Sequence, residues 1–163
     1  MEHSIDLTGL FSGEEHFIYD EFVMDISGVN DDIKKGTASI KADAASRAGN
    51  VEIRLRMDLR YDVECSRCLK PLHIQSGIDR TVYACMSLID NDNDEYIICE
   101  NGKIDLASAA TDIILLESPS KFLCKEDCKG LCLKCGADLN SGDCGCSRKE
   151  LDPRLAKLKE FFD

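Results

Sequence analysis

The sequence predicts an α+β protein in which a helix covers an antiparallel β-sheet or partly closed barrel, followed by a cysteine-rich tail and a short C-terminal helix. Three observations lead to this prediction: apolar and charged residues alternate without a break over 51–64, an amphipathic segment follows at about 106–118, and eight cysteines fall into two groups. Of the 163 residues, 44% are hydrophobic and 31% are charged, which is typical of a globular protein with one core and a small appended module.

The central strand is predicted at 51–64, because a period of two is that of a strand with one buried face. Upstream, Ala38 to Ala44 alternate in the same way and lead into the turn sequence Ala48-Gly49-Asn50, so the two segments form a hairpin. Downstream, apolar residues of one parity run over 72–88 and are interrupted near Gly77, which predicts a third strand with a bulge.

Two further strand regions complete the sheet. With strand material from His16 to Ile26, an antiparallel meander over roughly 37–89 is expected. Tyr96 to Cys99 and Lys103-Ile104 flank the dipeptide Asn101-Gly102, which is typical of a short hairpin.

Two helices are predicted from capping residues and apolar spacing. Asp105 is a suitable N-cap for a helix that ends near Pro119, and Asp152-Pro153 begins a short amphipathic helix at the end of the chain. The first helix directs these apolar residues towards the core: Leu106, Ala109, Ala110, Ile113, Ile114 and Leu116. The second carries Leu155, Leu158 and Phe162 at helical spacing and needs a surface to dock on.

Composition limits the location of the protein and the partners it could bind. No secretory signal is visible, and the longest strongly apolar run, Ile113 to Leu116, is too short to span a membrane, so we expect a cytoplasmic protein without a membrane partner. The net charge of −11 argues against a general nucleic-acid surface, because phosphate binding requires lysine and arginine. The row formed by Arg54, Arg56 and Arg60 is interpreted first as a solvated face, and a local contact of this row or of the C-terminal lysines with RNA or a partner is the alternative.

The cysteines are the main chemical signal. Eight of the ten lie in CSRC and in a dense tail cluster: Cys65, Cys68, Cys124, Cys128, Cys132, Cys135, Cys144 and Cys146. A reducing compartment makes metal binding the usual explanation for such groups, and a CxxC turn supplies two thiolates of a tetrahedral zinc site. Gly136, directly after the second cysteine of one pair, suits the turn that aims backbone N–H groups at sulfur.

We predict two zinc sites. Cys65 and Cys68, at the tip of a predicted hairpin, are completed by Cys124 and Cys128, which fastens the tail to the sheet. The other site uses Cys132, Cys135, Cys144 and Cys146. The same cysteines also fit one ion with spare thiols, an iron–sulfur cluster or, for Cys65 and Cys68, a redox-active dithiol. Cys85 and Cys99 are predicted to be ordinary thiols.

No catalytic machinery accompanies these cysteines. The three histidines, His3, His16 and His73, have no recognisable spacing to a nucleophile or an acid, and no phosphate loop or metalloprotease motif is present. A zinc ion held by four thiolates has no open coordination position. The predicted role of the one or two zinc ions is therefore structural, and no small-molecule substrate is expected. We therefore predict a β-rich domain with its covering helix over 1–120 and a zinc-binding module with a C-terminal helix over 121–163.

The order of these motifs resembles a known family. CSRCLKP, ILLESP, CKEDCKGLCLKCGADLN, CGC and DPRLAKL follow one another as in the YceD family, the large ribosomal RNA subunit accumulation proteins of bacteria and plastids. The matching blocks cover 65–71 and about 113–158. The resemblance implies a role in accumulation of large-subunit ribosomal RNA, hence ribosome biogenesis, without an established catalytic activity. Family members also occur with an eroded tail cysteine cluster, which implies that zinc in the tail supports the fold and is not indispensable to the role.

Three functional hypotheses follow. The first is a non-enzymatic factor that promotes accumulation of 23S ribosomal RNA by binding a ribosomal protein or a large-subunit assembly intermediate. The second is a zinc-ribbon protein that binds RNA or DNA, and the third is a dithiol redox protein. The acidic charge favours the first, because it does not support direct contact with ribosomal RNA over a broad surface.

Overall fold

The computed structural model describes residues 3–14, 17–47, 50–86 and 96–146. The predicted C-terminal helix, His16, Leu88 and part of the turn at 48–50 lie outside these residues. Within them the chain forms these elements: β1 (Ser4–Asp6), α1 (Thr8–Ser12), β2 (Phe17–Asp25), β3 (Lys35–Arg47), β4 (Asn50–Glu64), β5 (Pro71–Cys85), β6 (Tyr96–Ile98), β7 (Lys103–Asp105) and α2 (Leu106–Glu117).

The main sheet has the strand order β2-β3-β4-β5-β6. The first four strands are antiparallel neighbours, so the predicted meander is confirmed, and β6 pairs in parallel with the end of β5. Among the described residues β2 and β6 do not pair with each other, so the sheet is open rather than a closed barrel. The fold class is therefore α+β with a mostly antiparallel sheet.

Alternation along β4 determines which face of the sheet is buried. Each apolar residue from Val51 to Val63 points into the core, and the charged residues between them point outwards. On β3 the inward positions are mostly small, and Ala38, Ala42 and Ala44 are almost fully buried. Full burial of one larger side chain such as Leu55 contributes about 1.5–3 kcal/mol, so this face supplies much of the folding free energy.

Helix α2 packs against the buried face of the sheet. The Asp105 side chain accepts hydrogen bonds from the backbone N–H groups of Ala107 and Ser108, which confirms the predicted N-cap. The helix buries five residues in the same core as the sheet: Leu106, Ala109, Ala110, Ile113 and Ile114. No helix among the described residues has both the length and the apolar character that a membrane span requires.

Three local predictions were wrong. β5 keeps an unbroken register with β4, with Gly77 opposite Asp58, so there is no bulge. Asn101 and Gly102 do form a tight turn with positive φ angles, but the flanking segments separate because β6 joins the main sheet and β7 joins β1. Leu116 is 74% exposed, because the buried face of α2 ends at Ile114.

The N-terminal residues close one end of the core in a way that the sequence did not predict. β1 and β7 form a two-stranded sheet, and the short α1 that follows buries Leu10. The backbone N–H of Leu7 donates to the carbonyl of Gly102 at 2.7 Å. A Cβ atom at Gly102 would lie 2.5 Å from the Thr8 hydroxyl oxygen, so this close approach requires glycine.

Candidate metal centres

The connection between β4 and β5 presents Cys65 and Cys68. The N–H of Cys65 donates to the carbonyl of Lys70, and the N–H of Leu69 donates back to the carbonyl of Cys65, each at 2.9 Å. Leu69 adopts a left-handed conformation with φ of 58°. This turn closes the hairpin tip with both thiols buried on one side.

The segment after α2 binds to this hairpin tip. The N–H of Ser66 donates to the carbonyl of Phe122 at 2.8 Å, and the N–H of Phe122 donates to the Ser66 hydroxyl at 3.1 Å. The Phe122 ring meets Tyr61 of β4 edge-on, with centroids 5.9 Å apart. These contacts deliver Cys124 and Cys128 to the CSRC turn.

Four sulfur atoms converge here in a group that we call the first tetrad: Cys65, Cys68, Cys124 and Cys128. The Sγ atoms of Cys65 and Cys128 are 3.8 Å apart, those of Cys68 and Cys124 are 3.6 Å apart, and all four lie within 4.8 Å of one another. Such a cluster could hold a metal ion in tetrahedral coordination. It joins the sheet to the tail, as the sequence analysis expected of these four residues.

The second tetrad lies entirely in the tail and consists of Cys132, Cys135, Cys144 and Cys146, whose sulfur atoms also lie within 4.8 Å of one another. The N–H of Gly136 donates to the carbonyl of Cys132 at 2.8 Å, and Gly136 has a φ of 73°, so it forms the left-handed turn predicted for it. This tetrad is closer to solvent than the first, because Cys135 is exposed whereas Cys65 and Cys128 are buried.

Backbone N–H groups stabilise one thiolate strongly in each tetrad. Burial raises the pKa of Cys65, but N–H groups of Arg67, Cys124 and Cys68 outweigh it and lower the pKa to about 6. N–H groups of Cys135 and Lys134, helped by the Cys144 thiol, lower the pKa of Cys132 to about 6. One ligand of each tetrad is therefore a thiolate at neutral pH.

Other thiols in the same groups are held protonated. Burial, followed by the neighbouring thiols of Cys128 and Cys68, raises the pKa of Cys124 to about 12. Hydrogen bonds with Cys135 and Cys144 raise the pKa of Cys146 to about 12. Four thiolates this close repel one another, so a cation is needed to ionise a complete tetrad.

Three residues that are not cysteines support the first tetrad. Asn140 donates its side-chain N–H to Sγ of Cys128 at 3.5 Å and accepts from the N–H of Lys129 at 2.9 Å. The Arg67 guanidinium donates to the carbonyl of Cys128 at 2.8 Å. Gly130 packs so closely on Arg67 that a Cβ atom would lie 2.9 Å from its carbonyl oxygen. Sequence analysis missed these residues, although a glycine and an asparagine within a cysteine cluster are a usable signal.

The candidate arginine row lies on the exposed face of β4, on the opposite side from the core. Arg54 donates from Nε to Asp79 at 2.8 Å, and Arg56 forms an ion pair with Asp43. The Arg60 guanidinium has no ion pair with another described residue and lines a shallow depression with Thr37 and Gln75. Two of the three guanidinium groups are therefore already engaged by carboxylates.

The remaining thiols and histidines do not join either tetrad among the described residues. Cys99 is buried, and that burial with the nearby Cys85 raises its pKa to about 11, as expected of an ordinary core thiol. His73 forms a short contact of 2.6 Å with Asp62 on the exposed face.

Comparison with known proteins identifies the family. The model of the family "Large ribosomal RNA subunit accumulation protein YceD" matches residues 53–162. An uncharacterised protein of Mycobacterium tuberculosis is 36% identical over 103 residues, or 61% of this chain and 49% of the relative. The "Large ribosomal RNA subunit accumulation protein YCED homolog 1, chloroplastic" of Arabidopsis thaliana is 39% identical over 72 residues, or 44% of this chain and 22% of the relative.

Two facts set the scope of these similarities. The chain spans about half the length of the mycobacterial relatives that it matches, and less of the plant proteins. No solved structure matches the chain. The family model nevertheless covers more than half of the chain, from within β4 through both tetrads. The chain therefore belongs to the YceD family of large ribosomal RNA subunit accumulation proteins.

Proposed function

We propose that the protein is a non-enzymatic ribosome-biogenesis factor that promotes accumulation of large-subunit (23S) ribosomal RNA in the cytoplasm. The observation that carries this proposal is the family match over 53–162. That range contains most of β4, all of β5 and both tetrads. Hydrogen bonds between Ser66 and Phe122 fasten the turn between β4 and β5 to the segment that leads into the tail. The plant relatives are named for accumulation of the large ribosomal RNA subunit, and we extend that role to this chain.

Each tetrad, in this proposal, holds one structural zinc ion. Zinc–thiolate bonds of about 2.3 Å in a tetrahedron place the sulfur atoms about 3.8 Å apart. The two sulfur–sulfur distances of 3.6 and 3.8 Å in the first tetrad agree with that geometry. Four thiolates leave zinc no open position, so the ion supplies cross-linking rather than chemistry. The N–H groups that face Cys65 and Cys132 offset part of the excess negative charge.

The proposed partner is a basic ribosomal protein or a large-subunit assembly intermediate that presents one. A net charge of −11 attracts basic proteins and repels phosphate groups. The ion pairs of Arg54 with Asp79 and of Arg56 with Asp43 further reduce the cationic surface available to RNA. Arg60 is the one member of that row that favours a local RNA contact, which makes RNA binding the second candidate.

Depletion of the protein in its native host tests the role. We expect a lower ratio of 23S to 16S ribosomal RNA, restored by the wild-type chain. The protein should co-sediment with large-subunit precursors, and its complex with the partner should persist after nuclease treatment. An unchanged RNA ratio would refute the proposed role, whereas loss of the complex with nuclease would favour RNA binding.

Elemental analysis of anaerobically purified protein tests the metal assignment independently. Two zinc ions per chain are expected. Cys132→Ser should release about one ion and expose the tail to protease, because structural zinc contributes about 10 kcal/mol or more to such modules. Cys85→Ser is the matched control, since Cys85 lies outside both tetrads. Iron or no metal in the wild type would refute the zinc assignment.

A further inference from the structure

β2 is an edge strand of the main sheet. It pairs with β3 on one side, and no other described residue pairs with it on the opposite side. The N–H of Ile26 donates to the carbonyl of Gly36, so the even-numbered residues of this antiparallel register bond to β3. The odd-numbered residues direct their N–H and carbonyl groups away from the sheet: Phe17, Tyr19, Glu21, Val23 and Asp25.

Large apolar side chains are exposed along this edge. Phe22, an even-numbered residue, is buried in the core, so the odd-numbered side chains lie on the outer face of the sheet. On that face Val23 is 67% exposed, Phe17 is 60% exposed and Tyr19 is 48% exposed. One strand therefore combines a free row of backbone groups with three exposed apolar side chains.

The strand lacks the features that usually protect an edge, because it contains no proline, glycine, lysine or bulge. The edge of β5 differs, since Pro71, Gly77 and Arg80 lie in the part that β6 does not cover. Of the outward N–H groups of β2, only that of Glu21 has an acceptor among the described residues, the Asp20 carboxylate at 2.9 Å. Such an edge is typical of a surface that pairs with another strand.

We propose that β2 binds an extended basic segment of a protein partner as an additional antiparallel strand. The proposal rests on the proposed function, because it assigns a binding surface for the basic protein. Backbone hydrogen bonds to the odd-numbered residues of β2 hold the segment. Its apolar side chains meet Tyr19 and Val23 on the outer face, and lysine or arginine side chains at the alternate positions meet Asp20.

Charge selects this occupant over a second copy of the chain. β2 carries the carboxylates of Asp20, Glu21 and Asp25 and no cation. Lys41 pairs with Glu21 at 3.5 Å, but Asp20 has no ion pair with another described residue. Pairing of β2 with β2 of a second copy would bring both sets of carboxylates together, which is unfavourable. The chain's own residues after Cys146 are a further occupant, and the experiment distinguishes them.

The probe is a fluorescein-labelled peptide in which valine and lysine alternate, titrated with the zinc-loaded full-length protein. In an antiparallel strand on β2, the valine residues opposite Tyr19 and Val23 also direct their N–H groups towards the edge. A peptide N-methylated at each valine should therefore lose most of its affinity, whereas one N-methylated at each lysine should bind normally. A peptide with glutamate in place of lysine should bind at least about tenfold more weakly.

Val23→Pro tests the same edge from the side of the protein. The N–H of Val23 points away from β3, so proline removes a donor without breaking the pairing of β2 with β3. We expect binding of the lysine peptide to weaken about tenfold or more, with unchanged zinc content. Val23→Thr is the matched control, because it keeps the N–H and the shape of the side chain, and it should bind as the wild type does.

Asp20→Asn tests the choice of a basic occupant. The variant keeps an acceptor for the N–H of Glu21 but removes the charge. It should weaken binding about threefold and reduce its dependence on salt. Asp31→Asn removes an exposed carboxylate between β2 and β3 and is the matched control, with the affinity of the wild type expected.

Several outcomes would overturn the proposal. Equal binding of the two N-methylated peptides would refute the edge assignment on the wild-type protein, even if Val23→Pro does not fold. Equal binding of the glutamate peptide would refute the basic occupant. Tighter binding after truncation at Cys146 would assign the edge to the chain's own C-terminal residues, and concentration-dependent dimers abolished by Val23→Pro would assign it to a second copy.

Failure of this proposal is distinguishable from failure of the proposed function. If folded Val23→Pro binds the lysine peptide normally while the wild-type chain restores 23S ribosomal RNA in the depleted host, only the edge assignment is wrong. If depletion leaves the RNA ratio unchanged, the proposed function fails.

Discussion

The side-chain nitrogen of Asn140 lies 3.5 Å from Sγ of Cys128, a distance that allows an N–H···S hydrogen bond. Asn140 lies between Cys135 and Cys144, so the loop closed by the second tetrad supplies a donor to a ligand of the first. This hydrogen bond contributes to the lowered pKa of Cys128, where it acts against burial together with the N–H of Gly130. The two tetrads are thus connected through one amide side chain.

Asn140→Asp should therefore weaken zinc binding at the first tetrad. The variant keeps an acceptor for the N–H of Lys129 but loses the donor to Cys128 and adds a negative charge beside the thiolate. We expect a loss of about 10–100-fold in affinity, measured as faster zinc transfer to a chelator.

Two comparisons make the Asn140 result specific. Zinc transfer from the two tetrads to the chelator should give two kinetic phases. Cys68→Ser removes a ligand of the first tetrad and so identifies the phase that belongs to it. Ser141→Ala is the matched control, because the Ser141 hydroxyl donates to the carbonyl of Asp138 and not to sulfur. Equal transfer rates in Asn140→Asp and Ser141→Ala would show that the amide does not support the site.

Zinc affinity should fall as the pH is lowered. Cys124 and Cys146, each with a pKa of about 12, are protonated in the metal-free protein at neutral pH and must release their protons on binding. Cys65 and Cys132, each with a pKa of about 6, take up protons only below that pH, so the dependence should steepen there. Competition with a chelator of known proton affinity measures this slope, and a pH-independent affinity would contradict it.

Leu69→Gly should stabilise the protein by about 0.5–1 kcal/mol. The left-handed conformation destabilises the folded state by about 1–2 kcal/mol when the residue is not glycine. Glycine avoids this strain, but its greater freedom in the unfolded chain costs about 0.5–1 kcal/mol on folding. Leu69 has a φ of 58° and is 59% exposed, so little packing is lost. Denaturant unfolding of the zinc-loaded protein measures the change.

Leu133→Gly provides the matched control for Leu69. Leu133 is also exposed within a cysteine turn, but its φ is not positive, so glycine should cost about 0.5–1 kcal/mol. A similar loss in both variants would show that the left-handed strain at Leu69 is absent.

Gly36→Ala should destabilise the sheet, whereas Gly77→Ala should not. A Cβ atom at Gly36 would lie 2.7 Å from Cβ of Tyr61 and 2.9 Å from Cγ1 of Ile26, which overpacks the core at a cost of about 1–3 kcal/mol or more. At Gly77 the nearest atoms lie 3.9 Å away, so alanine should add about 0.5 kcal/mol of stability in a strand. Thermal unfolding of the two variants checks the difference, and equal effects would contradict it.

The long strands could be predicted because their pattern is extended and strict. Alternation over 51–64 carries enough residues to establish β4, and the alanine-rich segment before it can pair only across a short turn. The predicted N-cap at Asp105 was also confirmed, because capping depends on the chemistry of one side chain and the residues next to it. The cysteine spacing likewise anticipated which sulfur atoms the structure brings together.

Short elements could not be predicted because their partners are chosen by tertiary packing. β1, β6 and β7 have three residues each, too few for a pattern to identify the neighbouring strand. Leu116 was assigned to the core from its spacing, but the buried face of the helix ends two residues earlier, at Ile114. Asn140 was missed because a side chain that donates to sulfur has no periodic signature.

The separation of the ligands along the chain implies an order of events during synthesis. Cys132 and Cys146 are 14 positions apart, so the second tetrad can assemble as soon as the tail has left the ribosome. Cys65 and Cys128 are 63 positions apart and meet only once β4 and β5 have paired and α2 has packed across the sheet. Metal capture by the first tetrad would thus mark a chain whose sheet is already complete, and a newly made chain with a misfolded sheet would carry one ion instead of two.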